Sequence, residues 1–296
     1  MLVSEFMRDA LYGPAGFYTS GTGAPGRRGD FITSPDIGPL FGAVIAAACD
    51  SWWDDLGRPN PFDVLEVGAG SGALRKAVLA AAPRCLDALR YRVVEIGPYA
   101  PSDALRDLPA EPIVGIVLAN ELLDNLPLDL RAGDQLLDIE DPWPDIGVVP
   151  VQAEAREWVE RALGLVERGR VVAIDYCGAS YVDRSWVNWL RTYKGHEHGK
   201  HPLIDPGSQD ITCEVDIGQL PPATLNRSQA EFLAAHGIHE LVEEGRLIWR
   251  ERAHIGDLAA VRARSRVGEA AALCDPDGLG AFRVLEWVVG LGRPTP

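Results

Sequence analysis

Short apolar runs alternate with amphipathic stretches through the middle of the chain. Four runs, FDVLEV, YRVVEI, PIVGIVLAN and RVVAIDY, have the length and apolar content of strands that are buried on both faces. The stretches SGALRKAVLAAA and EAREWVERALGLV have the spacing of amphipathic helices. Because this alternation is typical of parallel βαβ units, the pattern predicts an α/β protein with a parallel sheet, to which the late run FRVLEWVV adds a last strand.

The chain before the first of these strands predicts two helices separated by a loop. Residues 2–11 have amphipathic spacing, and residues 12–30 are rich in Gly, Pro, Thr and Ser. Ser34 as N-cap, with Pro35 at the first helical position, predicts a second helix that stops at Gly57. We interpret this part as an N-terminal helical lid.

Two less regular regions interrupt the alternation. Residues 129–151 contain LDL, QLLDIE and VVPV around turn residues, which predicts a small inserted group of strands. Residues 191–219 are polar and broken by Gly and Pro, and long structured loops of this kind often carry function. Beyond them, SQAEFLAAHG predicts a helix with Ser228 as its N-cap and Gly237 after its end.

Composition and charge narrow the classes of partner. The chain has 296 residues, 47% of them hydrophobic, which is enough to bury a large core. Its formal charge of −15 argues against a nucleic-acid backbone or an anionic membrane surface as the main partner, and a basic protein substrate fits better. Five scattered cysteines without a C-x-x-C pair suggest neither a disulfide framework nor a zinc knuckle. With no signal-like N-terminus or membrane-length apolar stretch, we expect a cytoplasmic protein.

The stretch DVLEVGAGSGALRK places three glycines directly behind a predicted strand. A strand that ends near Glu66 and turns through Gly68, Gly70 and Gly72 into a helix collects backbone N–H groups at one point, where a polar or anionic cofactor group binds. No Lys-Ser or Lys-Thr follows the glycines, which excludes the phosphate loop of NTPases. A dinucleotide-binding turn fits on paper, since Ala73 completes G-x-G-x-x-A, and a tight turn without a ligand is the structural alternative.

The acidic residue in front of the glycines favours another cofactor. The pattern E-x-G-x-G-x-G at a strand end resembles the first motif of S-adenosylmethionine-dependent methyltransferases, in which glycines let the backbone approach the methionine part of the cofactor. The next predicted strand ends in Glu95, and an acidic side chain there can accept hydrogen bonds from both ribose hydroxyls. The resemblance implies that Glu66, Gly68, Gly70, Gly72 and Glu95 bind S-adenosylmethionine.

A wider resemblance covers almost the whole chain. The stretch ALYGPAGFYTSGTGAPGRRGDFITSPDIGPLFG resembles the N-terminal signature of the MidA-like family, and LANELLDNLP, DPGSQDITCEVD and SQAEFL match later family blocks in the same order. The resemblance implies a Rossmann-like class I methyltransferase sheet with an N-terminal helical lid and an inserted substrate lobe. It also implies methyl transfer to a protein nitrogen, with arginine as the expected acceptor. The substrate is then a protein, such as a component of a respiratory or other multi-subunit complex.

The expected organisation is a single domain of residues 1–296. Residues 1–60 form the lid, residues 61–180 the cofactor-binding core with its small inserted strands, and residues 181–296 the substrate lobe and the last part of the core. The apolar, Trp-rich stretches WVNWL and FRVLEWVV leave a homodimer possible.

Carboxylates are the groups that an arginine acceptor requires, because a guanidinium stays protonated and is bound in a fork by acidic side chains. Glu121 and Asp124 follow the strand GIVLAN and stand where such groups would be useful. Asn120, from the same strand end, could hold the cofactor or the substrate, and Asp210 is a third acidic candidate for a substrate contact. The alternative is structural: Glu121 and Asp124 could cap a short helix, and Asp210 could stabilise a turn.

The lid is expected to form the second face of the cofactor pocket. The resemblance places the segment GDFITS beside the cofactor, and the candidate contacts are Gly29, Asp30, Thr33 and Ser34. Asp30 could equally be a turn residue. The cluster HEHGKH does not match H-E-x-x-H, so we expect a solvated loop there and no metal site.

One departure from the family pattern keeps other functions open. Only IGPYAPSDALRDLPAEP separates Glu95 from the next strand, and the shortened region puts the usual acidic contact to adenine in doubt, with Asp103 and Asp107 as possible substitutes. A methyltransferase-like scaffold that binds the cofactor weakly or not at all is therefore an alternative. A nicotinamide-dependent oxidoreductase is a further one, although the chain lacks a Tyr-x-x-x-Lys pair on a suitable helix.

Overall fold

The protein is described here by a computed structural model that covers residues 1–20, 33–195 and 197–291. Its helices are α1 (Val3–Tyr12), α2 (Ser34–Ile37), α3 (Pro39–Asp55), α4 (Ala73–Ala80), α5 (Ala153–Leu165), α6 (Gln229–Ala235), α7 (Ile238–Arg252) and α8 (Leu258–Leu273). Its strands are β1 (Phe62–Val67), β2 (Leu89–Val94), β3 (Ile113–Asn120), β4 (Asp129–Ala132), β5 (Gln135–Leu136), β6 (Val148–Val151), β7 (Val166–Asp175), β8 (Cys177–Gly178), β9 (Leu190–Lys194), β10 (Glu197–His198), β11 (Asp210–Cys213), β12 (Val215–Asp216), β13 (Leu225–Ser228) and β14 (Arg283–Val289). Among these helices, none has the length and apolar content needed to cross a membrane.

A six-stranded sheet in the order β13-β14-β7-β3-β1-β2 forms the centre of the molecule. The strands β2, β1, β3 and β7 are mutually parallel, as the alternating pattern predicts. The last strand, β14, pairs antiparallel with β7, and β13 pairs antiparallel with β14. The carboxyl ends of the four parallel strands therefore lie along one edge of the sheet, which is where open α/β sheets bind ligands.

Helices cover both faces of this sheet because successive strand residues point to opposite sides. On β3, Ile116 and Leu118 face a cluster built with α3, α4, α6, α7 and α8. Val117 and Ala119 of the same strand face a second cluster built with α5. Thus α3 is part of the core, whereas the sequence analysis assigned the whole of residues 1–60 to an N-terminal helical lid.

The start of the second helix differs from the prediction. Thr33 is the N-cap of the short helix α2, and its N–H donates to Asp36 Oδ2 at 3.1 Å. Ser34 is fully buried instead, and its hydroxyl donates to Gln229 Oε1 at 3.0 Å. The prediction of Ser34 as N-cap was wrong because sequence could not show that a partner 195 positions away takes its hydroxyl.

A third apolar cluster lies apart from the sheet and joins α1 to the inserted strands. Met7 and Leu11 of α1 pack with Leu130 of β4 and Leu190 of β9. The predicted inserted group at 129–151 is confirmed as β4, β5 and β6, which form a three-stranded sheet. Part of the polar region 191–219 is also ordered into a second three-stranded sheet of β10, β9 and β11.

The predicted cap of α6 gives a stability prediction. Ser228 Oγ accepts a hydrogen bond from the N–H of Glu231, and Glu231 Oε2 accepts one from the Ser228 N–H at 2.7 Å. Replacing Ser228 by Ala should lower the free energy of unfolding by about 1 kcal/mol, because the first turn of α6 loses an acceptor. Urea unfolding of the variant measures this, and Ser102→Ala, at an exposed serine, is the control that should be neutral.

Candidate active site

A cavity of about 450 Å³ lies at the carboxyl ends of β1, β2 and β3. Its lining includes residues 66–71 and 94–100, Asn120 and Glu121, and Tyr12, Tyr18 and Asn125. Tyr18 lies beside the segment 94–100, since a Cβ on Gly97 would be 3.2 Å from the Tyr18 backbone oxygen. The size of the cavity is that of a small-molecule site.

The glycine turn has a backbone that side chains would obstruct. Gly68, Gly70 and Gly72 have φ values of +72°, +52° and +71°, in the left-handed region that favours glycine. A Cβ on Gly68 would lie 3.0 Å from Leu122 Cδ1. Gly68 and Gly70 line the cavity, whereas Gly72 is the N-cap of α4 and lies outside the lining.

Glu95 joins this turn to the end of β2. Its Oε2 accepts from the N–H of Gly70 and its Oε1 from the N–H of Gly97, both at 2.7 Å. A carboxylate oxygen has more than one lone pair, so both oxygens can still accept from a ligand hydroxyl. The predicted cofactor-binding position of Glu95 is therefore on the cavity wall with its orientation already set.

Glu66 lies beneath the same turn and is 4% exposed. It accepts a hydrogen bond from the Tyr91 hydroxyl at 2.9 Å. Burial raises the pKa of Glu66 to about 7, because removal from water disfavours its charged form. At neutral pH the Glu66 side chain therefore carries only part of a negative charge.

Asn120 and Glu121 line the cavity and lie in a strained turn. Glu121 has a φ of +55°, which is uncommon for a residue with a side chain and is typical of functional sites. Its Oε1 accepts from Ser34 N–H at 3.1 Å and from Asn120 Nδ2 at 2.9 Å. Burial, opposed by the Ser34 hydrogen bond, raises the pKa of Glu121 to about 8.

Asn120 contributes an acceptor that the protein leaves free. Its Oδ1 is buried and has no hydrogen-bond partner among the described residues. Buried polar atoms are almost always paired, so an unpaired acceptor on a cavity wall indicates a donor on the bound molecule. An ammonium or amino group would satisfy it.

The other acidic candidates lie one layer behind the cavity. Asp124 Oδ2 accepts from the Thr212 hydroxyl. Asp210 Oδ1 accepts from the Tyr18 hydroxyl at 2.9 Å and from Asn125 Nδ2 at 3.0 Å. Since Tyr18 and Asn125 line the cavity and Asp210 does not, Asp210 can act on a ligand through these two residues.

The remaining predicted contacts are divided. Thr33 lines the cavity and Ser34 lies behind it. Gly29 and Asp30 lie outside the described residues, so their predicted contacts stay predictions. Asp103 and Asp107 form ion pairs with Arg75 and Arg161 and do not line the cavity, so the proposed substitutes for an adenine contact have other partners.

The histidines of the HEHGKH cluster are spread over different neighbours. His198 stacks on Tyr193 with ring centroids 5.3 Å apart. His201 contacts Trp143 and Trp186, each at 5.1 Å between centroids. His196 lies outside the described residues.

Sequence reasoning missed four residues that line the cavity. Tyr12 and Tyr18 stack with ring centroids 5.6 Å apart, and Arg8 forms an ion pair with Glu154. All four line the cavity. A signal for the tyrosines was available, because both belong to the block ALYGPAGFY that resembles the family signature. Glu154 gave none, since it sits in an ordinary amphipathic helix.

Comparison with known proteins assigns the family. Residues 44–135 and 131–236 match the family described as "Putative S-adenosyl-L-methionine-dependent methyltransferase". These residues make up more than half of the chain, so the protein belongs to this family. The predicted family and cofactor class are confirmed, and the glycine turn, Glu95 and the free acceptor of Asn120 fit a nucleoside cofactor with a charged amino-acid part.

Among curated proteins, the chain is similar to mitochondrial protein arginine methyltransferases. It is 26% identical over 287 residues to the Drosophila melanogaster NDUFAF7 homolog, covering 73% of this chain and 64% of that protein. It is 31% identical over 283 residues to Mus musculus NDUFAF7, covering 74% of this chain and 65% of that protein. The chain thus spans less than two thirds of the length of these relatives.

Solved structures show the same fold. One is a protein from Burkholderia thailandensis that is described as a likely methyl transferase and was crystallised with S-adenosyl-homocysteine. It has a TM-score of 0.77 and 24% identity, and the match covers 99% of this chain and 88% of that one. A second crystal structure from that organism gives a TM-score of 0.73 and 22% identity over 99% of this chain and 88% of that one. The predicted fold class is confirmed.

Proposed function

We propose that this protein transfers a methyl group from S-adenosylmethionine to a protein nitrogen, specifically to an arginine guanidinium. The observation that carries the proposal is one cavity that is lined both by the glycine turn with Glu95 and by the carboxyl group of Glu121. The glycine turn and Glu95 suit the cofactor, and Glu121, which follows on the same wall, suits a cation. The names of the similar curated proteins support arginine as the acceptor.

The residues of the site divide the work of such a transfer. Bound S-adenosylmethionine supplies an electrophilic methyl group on a sulfonium. Glu95 and the turn orient the cofactor end, and Asn120 Oδ1 can accept from an amino group. Glu121 binds the guanidinium and holds it in line with the methyl group, since alignment is the main requirement of this chemistry. Tyr12 and Tyr18, which line the same cavity, exclude water from the reacting groups.

The charge of Glu121 links acceptor binding to proton release. In the free protein, burial raises its pKa to about 8, so the side chain is mostly protonated at neutral pH. A guanidinium beside it favours the ionised form, because opposite charges in a buried site attract strongly. Binding of the acceptor therefore releases a proton and prepares the carboxylate.

Calorimetric titration with S-adenosylmethionine, S-adenosylhomocysteine and NAD tests the cofactor half of the proposal. We expect micromolar dissociation constants for the first two ligands and no heat with NAD. Absence of binding to either sulfur ligand would favour the scaffold alternative, and tight NAD binding would favour an oxidoreductase.

Methyl transfer to matched basic peptides tests the acceptor half. Peptides with arginine should take up the labelled methyl group, and peptides with lysine at the same positions should not. Acid hydrolysis and chromatography would identify methylarginine, and label found only on lysine would contradict arginine specificity. A cytoplasmic location, a homodimer and a target in a multi-subunit complex stay predictions, because neither assay measures them.

A further inference from the structure

The end of β7 holds the turn that carries Glu121. Asp175 is 1% exposed, and its Oδ2 accepts from the N–H groups of Leu122 at 3.2 Å and Leu123 at 2.8 Å. Its Oδ1 accepts from the N–H of Tyr176 at 2.9 Å. The preceding residue, Ile174, accepts from the Glu121 N–H at 2.8 Å. Two residues of β7 therefore fix the backbone of 121–123, including the left-handed conformation of Glu121.

Asp124 follows this turn, and one of its two carboxyl oxygens lacks a hydrogen-bond partner in the described part of the chain. Its Oδ2 accepts from the Thr212 hydroxyl, but its Oδ1 is buried and has no hydrogen-bond donor among the described residues. The Asp175 side chain, which is also a carboxyl group, lies close enough for the two groups to act on each other's charge. Two ionised carboxylates in contact repel each other, and neither can donate a hydrogen bond. One proton between them removes both problems.

We propose that Asp124 and Asp175 share one proton, and that the resulting pair is a positioning device that holds Glu121 at the cavity wall. The pair then carries a single negative charge. Whichever of the two carboxyl groups carries the proton donates it to the other, so Asp124 Oδ1 gains a partner while Asp124 Oδ2 accepts from Thr212 and Asp175 accepts from its three N–H groups.

Two further carboxyl groups lie near the pair, Glu121 in its own turn and Asp210 on β11. Burial raises the pKa of Glu121 to about 8 and that of Asp210 to about 7, so at neutral pH the free protein has Glu121 mostly protonated and Asp210 only partly ionised. The other neighbouring titratable groups are neutral at neutral pH, because burial raises the pKa of each well above its usual range; they are Tyr12, Tyr18, Cys177 and Cys213. The arginines of the adjacent strands, Arg191 and Arg283, bond to Glu214 and Asn226.

The direction of the pKa shifts agrees with one retained proton. Burial is the largest cause for both groups, and it raises the pKa of Asp124 to about 6 and that of Asp175 well above its usual range. Above about pH 6 the pair therefore keeps one proton, whereas an unfolded chain, with aspartate pKa values of about 3.9, keeps none.

The pH dependence of unfolding tests the shared proton. The full chain is unfolded in urea at several values between about pH 6 and pH 8, as wild type and as Asp124→Asn. Because the folded wild type holds a proton that the unfolded chain lacks, rising pH favours unfolding, by about tenfold per pH unit in the unfolding constant. Asparagine presents an amide N–H to Asp175 and a carbonyl oxygen to Thr212 at every pH. The ratio of unfolding constants, wild type over variant, should therefore rise about tenfold per pH unit.

Asp87→Asn is the matched control, since Asp87 is exposed. The ratio of the unfolding constants of wild type and Asp87→Asn should not change with pH over the same pH range. A flat ratio for Asp124→Asn as well would overturn the proposal. If Asp124→Asn does not fold, carbon-13 NMR of the wild-type carboxyl groups gives the answer. One of the two assigned resonances should show a protonated acid at pH 7, and two ionised carboxylates would refute the shared proton. Neither measurement uses a cofactor or an acceptor, so its failure is separate from failure of the proposed methyl transfer.

Discussion

Replacing Glu121 by Gln should lower kcat/KM for methyl transfer about a thousandfold, within the range of about 10² to 10⁴ for a group that acts on the reacting atoms. Glutamine is nearly isosteric, and its carbonyl oxygen can still accept from Ser34 N–H and Asn120 Nδ2. What it loses is the charge that binds the guanidinium in a fork. The measurement is initial-rate kinetics with an arginine-containing acceptor.

The pH profile distinguishes a functional carboxylate from a structural one. In the free enzyme the pKa of Glu121 is raised to about 8, so the ionised form increases as pH rises through that value. The wild-type kcat/KM, which reports the free enzyme, should therefore rise through about pH 8, and the Gln variant should lack this limb. Glu157→Gln, at an exposed position on α5, is the control and should match wild type. An equal loss of S-adenosylhomocysteine affinity in Glu121→Gln would show that Glu121 serves the cofactor.

Replacing Gly70 by Val should weaken S-adenosylhomocysteine binding at least about 100-fold, or about 2.7 kcal/mol. Gly70 has a φ of +52°, lines the cavity and donates its N–H to Glu95. A β-branched residue disfavours this backbone conformation, so the turn and its hydrogen bond to Glu95 shift, and the side chain also occupies the wall that the cofactor approaches. Calorimetry measures the affinity directly.

Gly133→Val separates this effect from general strain. Gly133 has a similar φ of +57°, lies in the turn between β4 and β5, and has open space where a Cβ would stand. This variant should lose stability and keep its affinity for S-adenosylhomocysteine. Unchanged affinity in Gly70→Val would mean that the glycine turn does not contact the cofactor.

The predictable part of the site depends on short stretches of chain. The turn 66–72 is encoded by neighbouring residues, since a strand followed by closely spaced glycines has few other conformations, and Gly68 and Gly70 line the cavity as predicted. Glu95 and Asn120 were found because each ends an apolar run, and parallel strands end along one edge of the sheet. Thr33 and Glu121 also line the cavity.

Asp124 and Asp210 show where such reasoning stops. Asp124 was assigned from its position just beyond the strand GIVLAN and Asp210 from a block that resembles the family, and the structure places both behind the cavity wall. Whether a side chain faces a cavity or its second layer depends on one turn of backbone, as the left-handed φ of Glu121 shows. Sequence spacing alone does not specify that conformation.

The alternation of strands and helices, the glycine turn, the Ser228 cap and the family could all be predicted from the amino-acid sequence, because each depends on residues that are neighbours in the chain. Which distant groups meet depends on the folded structure. The Tyr18 hydroxyl donates to Asp210 across 192 positions, and Asp175 receives the N–H of Leu123 across 52. The parallel sheet brings the ends of β3 and β7 to one edge, and packing around the cavity brings Tyr18 to β11, which lies in a separate sheet. At both places burial away from water sets the pairing and the charge of the polar groups.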